Sequence, residues 1–346
     1  MLVQQARAVA RQWVLEVGSQ LPGFRGAFGT GSTNWLPEDA IVPATSDVDV
    51  MLAVDDPEVS GKPGKLIYRD VLLEVSTMPR ASLQSPEPIL GDYHLAGGLG
   101  MTKMLVDPTG DLTALQAAVA HGYAQRRWVV RRCEDARNKI LRGLQGLDAA
   151  KPFHAQVTTW LFPTGVMTHV LLVAGLQNPT VRRRYLAARA LLADYGHLAF
   201  YETLLELLGC GQMPQERVAQ HLTALTAAFD AAKAVIRTPF PFVADISDSA
   251  RPVAIDGSWE LLERGDQREA IFWMVATYSR CLDVFAHDAP HLLAAFDPAF
   301  RALLADLGIT SFADLQQRAE QVVATLPRLW AVAEAIMAVN PGISDA

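Results

Sequence analysis

Two short stretches near the start of the chain decide the fold that this sequence predicts. Residues 29–32 read Gly-Thr-Gly-Ser, and residues 46–52 read Ser-Asp-Val-Asp-Val-Met-Leu. Because successive side chains of a β-strand point to opposite faces, a strand over residues 47–54 places Asp47 and Asp49 on one face. The glycines allow the preceding backbone to approach a ligand closely. The pattern therefore predicts a glycine-rich loop followed by a strand that carries two carboxylates.

A third carboxylate lies in the apolar stretch that follows, where residues 71–75 read Val-Leu-Leu-Glu-Val. An acidic side chain inside such a strand is costly unless it is paired or bound to a metal. We therefore place Glu74 on a strand that neighbours the one carrying Asp47 and Asp49, with Asp70 as the competing choice. Mg²⁺ is bound in proteins by one or two carboxylates together with substrate phosphates and water. The three acidic residues are thus candidate ligands of a divalent cation.

The sequence changes character near residue 112. Residues 1–112 are rich in Gly, Pro and short β-branched runs, which predict an N-terminal helix and strands at 24–28, 47–54, 66–69, 71–76 and 103–106. Residues 113–346 consist of long Ala-, Leu- and Arg-rich stretches with helical periodicity, beginning with one helix expected over 113–147. We therefore predict an α+β protein, with a small mixed-sheet domain at 1–112 followed by an all-α helical bundle domain at 113–346.

Charge argues against a nucleic-acid partner. Residues 1–112 hold 14 acidic and 8 basic side chains, and the remaining residues hold 23 and 22, for a net charge of −7. Proteins that bind nucleic acid usually carry a basic surplus on the contact surface, so such a partner is not favoured. The counter-evidence is two arginine clusters, at 126–132 and 182–184, which we interpret as solvated helix faces.

Hydropathy and cysteine content predict a cytoplasmic protein. Half of the residues are hydrophobic, yet no uninterrupted apolar run approaches the roughly 18 residues typical of a membrane span. The first twenty residues alternate charged and apolar side chains, as in an amphipathic helix rather than a signal peptide. Three widely spaced cysteines without a Cys-x-x-Cys pair indicate neither a disulfide framework nor a cysteine zinc site. We therefore expect no membrane partner, and the oligomeric state stays open.

The loop and the carboxylates together resemble the nucleotidyltransferases of the DNA polymerase beta superfamily, in particular the aminoglycoside-type, small-molecule branch. The resemblance covers about a third of the chain and rests on a short set of residues: Gly31, Ser32, Asp47, Asp49, Glu74 and the strand and turn at 104–110. The segment between Ser32 and Asp47 is a few residues longer than in typical members of the family. A helical domain after the catalytic one also suits this family.

The resemblance implies a site, cofactors and a reaction. Asp47, Asp49 and Glu74 would bind two Mg²⁺ ions, for which Mn²⁺ can substitute, and Glu74 would be either a metal ligand or the general base. Gly31 and Ser32 would contact the phosphates of an NTP. The reaction would transfer a nucleoside monophosphate, AMP from ATP in the first instance, to a hydroxyl of a small molecule such as an antibiotic.

Other functions stay open at the level of the sequence. One is a non-catalytic nucleotide-binding or toxin-neutralising regulatory protein that keeps the fold, and another is a nucleotidyl modifier of protein or RNA. The complete set of three carboxylates favours catalysis, because a degenerate site would not need all of them. We expect the helical domain to form the wall that binds the acceptor, where acidic side chains would face a cationic molecule: Glu202, Glu206, Glu260, Glu263 and Glu269.

Overall fold

A computed structural model describes residues 1–61, 63–179 and 182–345 and shows an α+β protein. The chain divides into two compact units. The first contains Met1–Asp135, Leu172–Arg184 and Ala333–Ala346, and the second contains Ala136–Leu171 and Tyr185–Val332. The unit that contains the sheet therefore extends beyond the predicted range 1–112.

The first unit is built on one mixed sheet, whose strands within the described residues are β1 (Phe24–Gly29), β2 (Val48–Val54), β3 (Gly64–Tyr68), β4 (Val71–Pro79) and β5 (Met104–Val106). Their order across the sheet is β3-β4-β2-β1-β5. The central pair, β2 and β4, runs parallel, and the other neighbouring strands run antiparallel. The five predicted strands and the mixed sheet are confirmed, with shifts of a few residues at their ends.

Helices of the first half of the chain are α1 (Val3–Glu16), α2 (Pro57–Ser60), α3 (Pro86–Gly91), α4 (Tyr93–Gly100), α5 (Asp111–Gly122) and α6 (Arg126–Leu144). The single helix predicted over 113–147 is wrong, because the chain breaks between α5 and α6. At the break, the backbone N–H of Arg126 donates to Ser344 O at 2.8 Å, and Ser344 N–H donates to Ala124 O at 3.0 Å. A distant segment of the chain thus takes over hydrogen bonds that a continuous helix would make internally.

The sheet has an apolar core on each face. On one face, Trp13 and Val14 of α1 pack with Val50, Leu52 and Leu73. On the other face, side chains of β1, β2 and β4 pack with α3, α4 and α5, and the residues of this second core that follow residue 112 include Leu115 and Val119. Each fully buried side chain of this kind contributes roughly 1.5–3 kcal/mol to folding. Packing of α5 in this core explains why the sheet unit continues past residue 112.

The rest of the chain is helical and contains α7 (Phe153–Ala174), α8 (Arg184–Asp194), α9 (Leu198–Leu208), α10 (Gln215–Val235), α11 (Gly257–Glu263), α12 (Gln267–Asp288), α13 (Leu293–Asp306) and α14 (Phe312–Val339). A π-helical turn, Pro252–Asp256, leads into α11. Helical periodicity in the sequence predicts a helix over 178–194, but α8 begins only at Arg184, and residues 180 and 181 of that range lie outside the described residues.

Among the residues that the structure describes, two helices, α7 and α14, are long and apolar enough to cross a membrane by length and composition. The protein buries 83% of the apolar window of α7 and 33% of that of α14. Core helices of soluble proteins meet the same criterion, so the observation is weak evidence for a membrane span. The cytoplasmic location stays a prediction.

Candidate metal centre

The register between β2 and β4 brings together the three acidic residues that the sequence singles out. Asp49 pairs with Glu74 across the two parallel strands, and Asp47 lies directly before β2. One carboxylate oxygen from each of Asp47, Asp49 and Glu74 lies within 4.8 Å of the others, and all three side chains are half-buried. The sheet therefore holds a cluster of three carboxylates, which we call the acidic cluster.

The negative charges of the three carboxylates in the acidic cluster repel one another. Burial raises the pKa of Asp49 well above its usual value, and the neighbouring Asp47 and Glu74 carboxylates raise it further, against a smaller opposing effect of Lys65. A half-buried group of this kind gains from a nearby cation, which favours its charged form. The ligand atoms are all carboxylate oxygens, the type that Mg²⁺ prefers. The donor set and its charge therefore fit a hard divalent cation.

Gly31 contacts the acidic cluster from the glycine-rich loop. Its φ angle is 65°, in the left-handed region, and a Cβ built on it would lie 1.7 Å from Asp49 Oδ2. The neighbouring Thr30 N–H donates to the backbone carbonyl of Asp49 at 3.0 Å. Any larger residue at position 31 must displace the Asp49 carboxylate or the loop. Glycine is therefore required here by both the backbone conformation and the close approach.

Hydrogen bonds anchor the loop beside the strands. The Asn34 side-chain amide and the Thr102 hydroxyl donate to the carbonyl of Gly29 at 2.9 and 2.6 Å. The hydroxyl oxygens of Ser32 and Ser46 lie 3.4 Å apart. Gly31 and Ser32, the two residues expected to contact a nucleotide, thus lie on a fixed loop next to the acidic cluster.

Lys65 on β3 joins the acidic cluster, although the sequence analysis did not select it. It pairs with Glu74 in the register of β3 and β4, and its Nζ contacts Asp47 Oδ2 and Glu74 Oε2. Only 4% of its side chain is exposed. Burial lowers the pKa of Lys65, but the attraction of the Asp47 and Glu74 carboxylates outweighs it and raises the pKa above the ordinary value. Lys65 is therefore a fixed positive charge.

Asp70, the competing choice for the third carboxylate, lies outside the acidic cluster. It is exposed in the turn between β3 and β4, where Arg69 and Asp70 have φ angles of 48° and 63°. The alternation of β4 directs Glu74 to the face that carries Asp49, whereas the turn carries Asp70 to the end of the hairpin. Glu74 is thus the third acidic residue of the site.

The arginine cluster at 126–132 is not uniformly solvated. Arg132 is 1% exposed, and its guanidinium donates to the carbonyls of Leu90 at 3.2 Å and Tyr123 at 2.6 Å. The same guanidinium lies 4.4 Å from the centre of the Tyr123 ring. The interpretation of Arg132 as part of a solvated face is therefore wrong, because backbone carbonyls and an aromatic ring hold it in the core.

Two of the acidic residues expected to face a cationic acceptor are paired within the protein. Glu269 is buried and accepts hydrogen bonds from Arg189 Nη1 at 2.8 Å and from the Tyr201 hydroxyl. Glu202 accepts from Arg268 Nη1 at 2.8 Å. Their charge is compensated by these partners, which weakens the expectation that they attract a cation.

Comparison of this chain with protein-family models, with curated proteins and with solved structures gives no match. The arguments about function therefore rest on the residues of the acidic cluster, the loop beside it and their geometry.

Proposed function

We propose that the protein is a Mg²⁺-dependent nucleotidyltransferase that transfers a nucleoside monophosphate, AMP from ATP in the first instance, to a hydroxyl of a small molecule. The observation that carries the proposal is the parallel register that sets Asp49 beside Glu74, with Asp47 next to both. Gly31 against Asp49 supports it, because the loop that would bind the nucleotide contacts the residues that would bind the metal. In this proposal the sheet unit is the catalytic domain and the helical part binds the acceptor.

Asp47, Asp49 and Glu74 would hold Mg²⁺, which when bound neutralises charge on the attacking and leaving oxygens. The chain itself contributes position, since the two strands fix the carboxylates and the anchored loop offers N–H groups and the Ser32 hydroxyl to phosphate oxygens. Lys65 places a positive charge in contact with Glu74, the carboxylate that would bind a metal or accept a proton.

The proposed reaction is an in-line displacement at the α-phosphorus of the nucleotide. The acceptor oxygen forms a bond to this phosphorus, and the bond to the bridging oxygen of pyrophosphate breaks. The proton of the acceptor hydroxyl passes to Glu74 or to water, and pyrophosphate leaves with its electron pair. No redox partner is required, so the atoms and charges balance with the nucleotide and the acceptor alone.

Charge supports a small acceptor over a nucleic acid. The predicted catalytic range, residues 1–112, holds 14 acidic and 8 basic side chains, whereas a strand of nucleic acid needs several Lys or Arg contacts. One arginine of the cluster at 126–132, Arg132, is buried and cannot contribute to such a surface. A small hydroxylated molecule needs no extended basic track.

The test is label transfer. Purified protein is incubated with Mg²⁺, an NTP labelled at the α-phosphate and a panel of hydroxylated small molecules that includes aminoglycoside antibiotics, and a cell extract is used in parallel. We expect a labelled small product and release of pyrophosphate, both absent from the Asp49→Asn variant. Label on protein or RNA would instead make the chain a macromolecular modifier. Nucleotide binding without pyrophosphate release in any extract would contradict catalysis.

A further inference from the structure

Lys65 is a charged side chain in contact with the acidic cluster, and the nucleotidyl transfer proposed above does not require it. Its Nζ contacts one oxygen of Asp47 and one oxygen of Glu74 at the same time. Its side chain is 4% exposed, and the hairpin register fixes it opposite Glu74. A buried, strand-borne ammonium held between two carboxylates is a permanent cation in the place where cations are expected to bind.

The charges of these residues balance with one divalent cation. The formal charges of Asp47, Asp49, Glu74 and Lys65 sum to −2, the charge that a single Mg²⁺ neutralises. Two Mg²⁺ ions would leave a surplus of positive charge before a nucleotide arrives. They would also lie beside an ammonium whose long side chain is enclosed by the protein, and like charges at such short range repel strongly. The arrangement around Lys65 therefore favours one ion over two.

We propose that Lys65 takes the place of one of the two divalent cations that the resemblance implies, so that the centre binds a single divalent ion. This inference rests on the proposed function, because it concerns the metal stoichiometry of the same site. Lys65 acts here as a positioning residue, which offsets one of the negative charges of Asp47 and Glu74 and holds the two carboxylates together. An ammonium supplies one charge and N–H donors, and it cannot act as a Lewis acid.

The test counts bound Mn²⁺ per chain by electron paramagnetic resonance, with Mn²⁺ alone and then with the non-hydrolysable analogue α,β-methylene-ATP. We expect one ion per chain in the wild type and a second ion in Lys65→Met, which keeps the length of the side chain and removes its charge. Lys65→Arg keeps the charge and should stay at one ion. Circular dichroism and thermal unfolding check that each variant is folded.

Lys103→Met is the matched control. Lys103 belongs to the same unit, is 62% exposed and lies 3.6 Å from Glu38 rather than beside the acidic cluster. Its replacement removes the same charge from the protein, so it separates a local effect from one of net charge. We expect Lys103→Met to bind one ion, as the wild type does.

Each outcome decides between the proposals. Two ions in the wild type, or one ion in folded Lys65→Met, would overturn the role of Lys65 and leave the nucleotidyltransferase proposal intact. Absence of Mn²⁺ binding in the wild type under both conditions would remove the metal centre, and both proposals would fall. If Lys65→Met does not fold, the count in the wild type decides alone.

Discussion

Two clusters of carboxylates in this protein differ in how their charge is compensated. In the acidic cluster, the ammonium of Lys65 contacts Asp47 and Glu74, and its charge also acts on Asp49. In the helical unit, Asp266 and Glu269 both accept hydrogen bonds from Arg189, at 2.7 and 2.8 Å. Arg264 lies 3.6 Å from Asp266, and the Tyr201 hydroxyl donates to Glu269. We call the second group the balanced network.

The difference separates a structural role from a binding role. In the balanced network, burial lowers the pKa of Arg189 but Asp266 and Glu269 outweigh it and raise the pKa, so these partners stabilise the positive charge of Arg189. In the acidic cluster, burial and then the Asp47 and Glu74 carboxylates raise the pKa of Asp49 against the smaller effect of Lys65, so its surroundings disfavour its charged form. A carboxylate group that its own fold leaves under-compensated is suited to bind a cation from solution.

The largest expected effect comes from neutralising the acidic cluster. Asp47→Asn and Asp49→Asn each remove a proposed metal ligand, and loss of even an outer partner of a metal costs 10–100-fold, so we expect activity to fall by at least about 100-fold. Thermal stability of the metal-free protein should rise in Asp49→Asn, because a repelled charge is removed, whereas Asp47→Asn also removes a partner of the buried Lys65 and should be less stable than Asp49→Asn. Turnover and thermal midpoint are measured on the same samples.

The control for this pair is Asp55→Asn. Asp55 follows the end of β2 and pairs with Arg25 at the surface, so its replacement also removes one carboxylate but leaves the acidic cluster unchanged. We expect full activity in this variant. Full activity in Asp47→Asn or Asp49→Asn would contradict the assignment of that residue as a metal ligand.

The balanced network should respond in the opposite way. Glu269→Ala leaves Tyr201 without its buried partner and Arg189 with Asp266 alone, and breaking a buried ion pair from one side costs about 3–5 kcal/mol in the free energy of unfolding. Urea unfolding followed by circular dichroism measures the loss. Glu202→Ala is the matched control, because Glu202 is 49% exposed and its pairing with Arg268 is worth about 0–1 kcal/mol. Equal losses of unfolding free energy in the two variants would show that the balanced network stabilises the protein no more than a surface ion pair does.

The third prediction concerns a variant that changes the geometry around the Asp49 carboxylate and removes no charge. In Gly31→Ala the new methyl group would occupy the space of the Asp49 carboxylate, so we expect Mn²⁺ affinity to fall by about 10-fold or more. Gly110→Ala is the control, since Gly110 has a φ angle of 81° and an added Cβ meets nothing within 4 Å. Both variants strain the backbone by about 1–2 kcal/mol, but only the first touches the cluster. Unchanged affinity in Gly31→Ala would separate the loop from the metal centre.

Local patterns made much of the sheet and of the acidic cluster predictable. The alternation along 47–54 already specifies which side chains share a face, and β2 shows Val48, Val50 and Leu52 buried with Asp49 between them. The apolar context of Glu74 marks it as a costly residue in need of a partner. Such information is contained within single strands, which is why it can be read without knowledge of the fold.

The sequence analysis does not identify Lys65 as a site residue, because its position opposite Glu74 depends on a turn that no typical turn residue marks. The two-residue turn Arg69-Asp70 pairs Tyr68 with Val71, and counting back along the hairpin sets Lys65 opposite Glu74. Two-residue turns of this kind, with positive φ at both positions, are usually marked by Asn or Gly, and arginine gives no such signal. The predicted strand at 66–69 therefore began after Lys65 and ran into the turn.

The break between α5 and α6 was missed for a different reason. Residues around it have good helical periodicity, and the hydrogen bonds that replace the helix come from Ser344, more than two hundred residues away along the chain. Backbone hydrogen bonds between segments so far apart in the chain do not change the helical periodicity of the residues around the break. A turn without sequence markers thus limits the prediction at Lys65, and non-local backbone pairing limits it at this break.

The smallest expected effect concerns Asp314 in the first turn of α14, which sharpens the contrast with Asp49. Its carboxylate accepts hydrogen bonds from the backbone N–H groups of Thr310 at 2.8 Å and Ser311 at 2.9 Å, and from both hydroxyls. The bonds from Thr310 and then from Ser311 lower the pKa of Asp314 to about 2. Its own neighbours thus favour the charged form of Asp314.

A carboxylate with a lowered pKa stabilises the folded state at any pH above its unfolded value of about 3.9, and this contribution is lost as the pH falls toward 2. Asp49 has a raised pKa and acts in the opposite sense. We therefore expect Asp314→Asn to have a lower thermal midpoint than the wild type by a constant amount above about pH 5, and the difference to shrink between about pH 4 and pH 2. Thermal unfolding of both proteins across this range checks the expectation. A difference that stays constant down to the lowest pH at which both fold would show that the hydrogen bonds to Asp314 do not favour its charged form.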